Sequence, residues 1–291
     1  MQQHWKTLLL ALSVMLAPAV LAQSGDLTTI DYPGASSTQT WGINPQGDIV
    51  GFYDASGVTH GFLLKAGRYT TIDYPGAAGT FPSEINPRGD IVGGYSAPDG
   101  TGYGFLLSGQ SFTSINLPGA LFVEANGINP EADIVGDYFS SDGRRHGFLI
   151  SGGATTTIDY PGATDLPHVP AVTLANAISP EGDIAGGYRS AGVSHGFLLS
   201  GGAFSSFDCP GATFTTATGI NPDGSIVGRC TIGGVNKGFL LSGGQFTIIS
   251  VPGATYAGAT EIDPQGNILG RYRTADGAFH GFLLSSSGGG R

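Results

Sequence analysis

Apolar residues recur along this chain in short, regularly placed runs. In the stretch Gly42–Ala77, "DIVGFY", "HGFLL" and "YTTIDY" each hold a few apolar positions between glycine, proline and asparagine. None extends far enough for a helix of 10 to 12 residues, so each is read as a strand. "TWGIN" ahead of them makes a fourth strand. In the "TTID"-type strands, the aromatic residue and the Ile three places later fall on opposite sides of the pleat. "GFLL" is apolar on consecutive positions, so both faces of such a sheet need cover.

The punctuation has physical reasons. In "NPQG", Asn44 starts a turn, Pro45 fits its first central position, and Gly47 takes the positive φ that closes a hairpin. "LSGG" before "QFTIIS" reads as a second tight hairpin. Pro33 ends its strand because it has no N–H to give a ladder.

The pattern recurs. "PGA" occurs at Pro33, Pro75, Pro118, Pro161, Pro210 and Pro252, spaced by 42 or 43 residues except for one interval of 49. A period in the forties with four strands per copy predicts propeller blades. Sheets stacked around an axis cover both faces of one another and protect their edges. The expected fold is all-β, a six-bladed β-propeller of four-stranded blades. A β-solenoid is the alternative, although its coils usually have a shorter period. The chain enters mid-copy with "LTTIDYPGA" and stops after "HGFLL". Leu27–Tyr32 is therefore expected to pair with Gly281–Leu284 and close the last blade.

The phrases "INPxGDIVGxY" and "HGFLLxxGxFTTIDYPGA" resemble the HAF family of bacterial extracellular repeats, over roughly residues 27–284. The resemblance implies an exported repeat protein and hands over no catalytic residues. Tyr103 and Lys237 depart from it in place of the His, as does "ISPEGDIAG" at Ile178.

Composition adds a compartment and removes some partners. Met1–Lys6 followed by "TLLLALSVMLAPAVLA" reads as a secretory signal peptide, residues 1–22, cleaved after Ala22 with Val20 at the −3 site. Residues 23–291 then form a single propeller domain, secreted or periplasmic, with no membrane span. The net charge is −10 and the only lysines are Lys6, Lys65 and Lys237, so nucleic acid is excluded as a partner. The 50 glycines sit at fixed places in the copies and argue against long helices.

Candidate chemistry lies where the copies disagree. His60, His146, His195 and His280 occupy one position, too far apart around an axis to share a metal, so a structural bond to a neighbouring strand or loop is expected. Asp48, Asp90, Asp133 and Asp183, and Asp31, Asp73, Asp159 and Asp208, are read as turn-capping residues. Neither metal nor cofactor is expected.

Aligned on Ile43, Ile85, Ile128, Ile178, Ile220 and Ile262, the preceding residue is small except at Glu84 and Glu261. The residue before that is Trp41, Ser83, Asn126, Asn176, Thr218 or Thr260. Trp41, Glu84, Glu124, Asn126, Asn176, Glu261 and, in the inserted segment, His168 are the candidate ligand-binding residues. An aromatic with carboxylates and amides at a channel mouth suits a sugar or peptide. Glu84 and Glu261 are the one pair to weigh for glycoside hydrolysis, against which stands a separation of two blades.

Cys209 and Cys230 stand where other copies carry two different tyrosines, which implies that these positions touch and form a disulfide here. The function expected is a non-catalytic, exported scaffold. It would bind an extracellular glycan, peptide or cell-surface protein on the face of variable loops. A carbohydrate-active enzyme using channel-mouth carboxylates and a purely structural envelope protein are the alternatives.

Overall fold

The computed structural model describes residues 21–22, 25–165 and 170–286; the expected leader up to Val20 and His168 lie outside them. The described chain is all strand and turn, and no helix in it is long and apolar enough to cross a membrane.

The strands form consecutive antiparallel meanders. The first runs through Ser37–Ile43, Ile49–Ala55, Val58–Lys65 and Arg68–Ile72. The second spans Gly79–Ile85 to Ser111–Ile115, the third Ala120–Ile128 to Ala154–Ile158, the fourth Val172–Ile178 to Ala203–Phe207, and the fifth Ala212–Ile220 to Gln245–Ile249. The last contains Tyr256–Ile262, Ile268–Arg273 and Phe279–Leu284, with Leu27–Ile30 as its outer strand. That strand pairs Leu27 with Leu284, Thr28 with Leu283, Thr29 with Phe282 and Ile30 with Gly281. First and third strands run longer than the apolar runs, because ends such as exposed Val58 and half-buried Thr59 keep the ladder into the loops. Leu21–Ala22 lies parallel to Thr247–Ile248.

The turns follow the expected chemistry. Asn44 Oδ1 accepts the N–H of Gln46 and Asp48 at 3.1 and 2.9 Å, and Gly47 has a φ of 80°. The capping atom belongs to the Asn; Asp48 instead accepts from Asn44 Nδ2 and Lys65 Nζ. In the third meander Ala132 takes the glycine's place and is held at a φ of 69°.

The core repeats as well. Phe62, Phe105, Phe148, Phe197, Phe239 and Phe282, the Phe of each "GF" phrase, are fully buried. Leu269 packs in one cluster with Ile43, Ile49 and Phe62, so the last meander leans on the first.

Each first strand carries a bulge. In the first meander Thr40 pairs with Gly51 and Gly42 with Val50, leaving Trp41 unpaired. The same slip leaves Ser83, Asn126, Asn176, Thr218 and Thr260 unpaired. The bulge requires close approach: a Cβ on Gly51 would lie 2.1 Å from the Gln39 carbonyl oxygen, and one on Gly136 2.0 Å from that of Glu124. The glycine of every "IVG" phrase is thus set by the bulge opposite it.

The repeated His and Asp form pairs. His60 Nδ1 lies 3.0 Å from Asp73 Oδ2, and His146–Asp159, His195–Asp208 and His280–Asp31 repeat the contact at 2.8 to 3.0 Å. Asp31, Asp73, Asp159 and Asp208 are therefore partners of a histidine, which corrects the turn-capping reading for this set. His280–Asp31 joins residues 249 positions apart.

Candidate functional site

The bulges determine where the variable side chains go. A bulged residue leaves the ladder and its side chain is re-aimed. Trp41, Ser83, Asn126, Asn176, Thr218 and Thr260 all line one chamber of about 280 Å³.

A second set of side chains lines the same chamber and was missed in the sequence. The fourth residue of the "IVGx" strand is Phe52, Gly94, Asp137, Gly187, Arg229 or Arg271. Phe52, Asp137, Arg229 and Arg271 face the chamber, as does Arg145. The signal was available, since this position varies most within an otherwise constant phrase.

The chamber is electrostatically lopsided. On one side Arg145 Nη2 donates to Glu124 Oε2 at 2.9 Å and its Nε donates to Asp137 Oδ2. Asp137 is 1% exposed; burial pushes its carboxyl up, while Arg145 and the Asn126 amide, 2.9 Å away, pull it back down. On the other side Arg271 lies over the Trp41 ring at 4.1 Å and Arg229 over the Phe214 ring at 4.7 Å. Among the described residues neither has a carboxylate within ion-pair distance. Burial lowers the Arg271 guanidinium from its ordinary value.

The sequence-derived candidates divide accordingly. Glu124 is neutralised by Arg145. Asn126 donates to Ala175 O and Asn176 to Ala217 O, so their amides tie adjacent meanders together. Trp41 has its ring against the Arg271 guanidinium, with Phe52 beside it at 6.3 Å. It is thereby a platform for Arg271. His168 lies outside the described residues.

Glu84 and Glu261 meet. They are 9% and 8% exposed, and their carboxyl groups share a hydrogen bond where the chamber narrows. A second space of about 80 Å³ continues beyond them, lined by Pro45, Pro87, Pro130, Pro180, Pro222 and Pro264. The supposed obstacle of distance fails because strands converge towards the axis, where two meanders' separation is only a few side-chain atoms. Glycine flanks each carboxyl: a Cβ on Gly42 would lie 2.7 Å from Glu84 Oε1, and one on Gly219 2.6 Å from Glu261 Oε1. Burial raises both carboxyls above their ordinary value, and the neighbouring Glu261 raises Glu84 further.

Cys209 Sγ and Cys230 Sγ stand 2.6 Å apart in the buried interior. The equivalent tyrosines stack: Tyr32 on Tyr53 at 3.6 Å, and Tyr74 on Tyr95 and Tyr160 on Tyr188 at 3.7 Å. The inferred contact between these two positions is present.

No family model and no curated protein matches this sequence. Among solved structures it is similar to AofleA from Arthrobotrys oligospora, at 12% identity and a TM-score of 0.53 over 92% of this chain and 91% of that one. It is similar to a putative TolB from Agrobacterium tumefaciens, at 14% identity and 0.51 over 87% of this chain and 91% of that one. A luciferin-regenerating enzyme matches at 11% identity and 0.52, over 91% and 96%. The fold is a β-propeller. At such identities the likeness is one of architecture alone.

The carboxyl pair gives a pH signature. The unfolded chain releases these protons near the ordinary glutamate value of 4.5, whereas the folded chain holds that of Glu261 to about 7. Between these values the folded state binds more protons, so stability falls as pH rises, by at most about 1.4 kcal/mol per pH unit for one group. Urea unfolding at a series of pH values should show this decline, and Glu84→Gln should flatten it. An equal slope in both proteins would contradict the shared proton.

Proposed function

We propose that this protein is an exported, six-bladed β-propeller of the HAF type that binds a ligand in its central chamber without transforming it. Residues 1–22 act as the signal peptide, residues 23–291 form one domain, and the destination is secreted or periplasmic. Closure of the ring is supported by the ladder between Leu27–Ile30 and Gly281–Leu284 and by the hydrogen bond of Thr40 Oγ1 to Gly270 O.

One observation carries the binding reading. Constant positions supply turns, core and bulges, while the bulged residues that differ between copies all converge on one cavity. Variable side chains on a rigid scaffold are the usual form of a recognition site. The ligand classes in view are an extracellular glycan, a peptide or an exposed segment of a cell-surface protein.

Glycoside hydrolysis is the second reading, favoured by two buried carboxyl groups at the chamber floor. It requires carboxyls about 5 to 9 Å apart across the scissile bond. Glu84 and Glu261 in direct hydrogen-bond contact leave no room for that bond, so we place them in the scaffold.

Glycan and peptide arrays probed with the mature protein and with Ser83→Trp, which fills the chamber, test the proposal. Signals lost in the variant are expected. Signals that survive it would move the site elsewhere, and chain cleavage on the array would restore the catalytic reading.

We also propose that Cys209 and Cys230 form a disulfide in the oxidising compartment, supported by their contact and burial. It would replace a tyrosine stack between adjacent blades. Denatured, unreduced protein should offer no thiol to an alkylating reagent and gain two alkyl groups after reduction. Two labelled thiols without reduction would refute the bridge.

A further inference from the structure

The chamber wall made by the first and last meanders holds three polar atoms without a partner. Trp41 Nε1, Thr260 Oγ1 and Arg271 Nε are buried, line the same cavity, and are the only such side-chain atoms among the described residues. Leaving a buried donor unsatisfied costs about 1–3 kcal/mol each, and more beside a charge. Their clustering on one wall therefore needs a reason.

Comparison with the other bulge positions supplies it. Asn126, Asn176 and Thr218 donate to the carbonyls of Ala175, Ala217 and Ala259 in the next meander, at 3.2, 2.7 and 2.9 Å. Thr260 and Trp41 occupy the same position in the last and first meanders and make no such bond. Their polar atoms are left without a partner, in side chains that line the cavity beside Arg271.

The chemistry of the vacant wall defines its complement. An indole N–H and a guanidinium N–H can only donate, so an occupant must present acceptors. Arg145, Arg229 and Arg271 face two carboxylates, Glu124 and Asp137, which leaves one positive charge when the Glu84–Glu261 pair holds its protons. Buried charge without a counterion is costly, and a single negative charge balances it where a phosphate dianion would overshoot. Apolar side chains complete the lining: Phe52 beside Trp41, Phe81 against Phe52, and Leu174 and Phe214 from other meanders. A space of about 280 Å³ holds one ring-sized body rather than a long chain.

The geometry points to a monocarboxylate ligand of about one ring, its carboxylate accepting from Trp41, Thr260 and Arg271 and its body against the phenylalanines. This deepens the chamber reading and rests on it. Such a group is supplied either by a uronic acid, free or at the end of an acidic glycan, or by an aromatic acid.

Calorimetric titration of the mature protein at constant ionic strength tests the assignment. The probes are glucuronate, galacturonate and benzoate against glucose, galactose and benzyl alcohol. At least one carboxylate should bind, with its neutral counterpart at least about tenfold weaker; the binding pair identifies the source. Trp41→Phe and Thr260→Val each remove one donor while keeping an apolar body of similar size. Each should weaken binding by about tenfold, the loss of one charge-assisted hydrogen bond. Arg271→Gln should weaken it further; if that variant does not fold, the first two still decide.

Silence from every carboxylate, neutral probes binding as tightly, or normal affinity in both Trp41→Phe and Thr260→Val would overturn the assignment. Ser83→Trp separates this from failure of the underlying reading. Binding abolished by Ser83→Trp but indifferent to the donor variants would keep the chamber and reject the carboxylate. Carboxylate binding that survives Ser83→Trp would reject the chamber itself.

Discussion

A single unpaired residue in the first strand of each meander sets the form of the site. The bulge brings the backbone of that strand against its neighbour so closely that only glycine fits opposite, as the 2.1 Å approach at Gly51 records. It also frees one side chain per meander from the ladder and turns it into the chamber. The "IVG" phrase and the chamber-lining residues are thus two consequences of one backbone irregularity. The glycine is constant because sterics leave no choice. The residue it faces is variable because the bulge releases it from pairing.

Where meanders meet, the molecule uses several kinds of contact for one purpose. Tyrosine stacks, the Cys209–Cys230 contact, and the donors of Asn126, Asn176 and Thr218 all cross from one meander to the next. The junction of last and first meanders differs. It has the core contact of Leu269, the Thr40–Gly270 hydrogen bond and the His280–Asp31 pair, but its bulge-position donor is left over. That leaves the wall of unpartnered polar atoms at the place where, on the proposed closure, the chain's two ends are joined.

Much of this was legible beforehand. Turn residues, strand order, the pairing of Leu27–Ile30 and the contact of Cys209 with Cys230 follow from local chemistry repeated at a fixed period. What escaped depends on radius and on partners distant in sequence. Two meanders stand far apart at the rim, but near the axis their separation shrinks until Glu84 and Glu261 touch, which the repeat period alone does not give. Arg271 and Arg229 are not legible from variation in the first strand, because they stand on the second, which also faces the chamber. No single-strand argument shows that Arg271, 230 residues away, covers the Trp41 ring. Asp31, Asp73, Asp159 and Asp208 were read from their turns alone, whereas their partners are histidines on the adjacent strand.

The account depends most on the join between first and last meanders, and Trp41 reports on it as the sole tryptophan downstream of residue 22. The decisive measurement is tryptophan emission and urea unfolding of the chain with and without residues 23–32. Removing this segment should shift the emission of Trp41 to the red, as its contact with Arg271 opens, and unfolding should occur at lower urea with lost cooperativity. Unchanged emission together with an unchanged unfolding midpoint would contradict it.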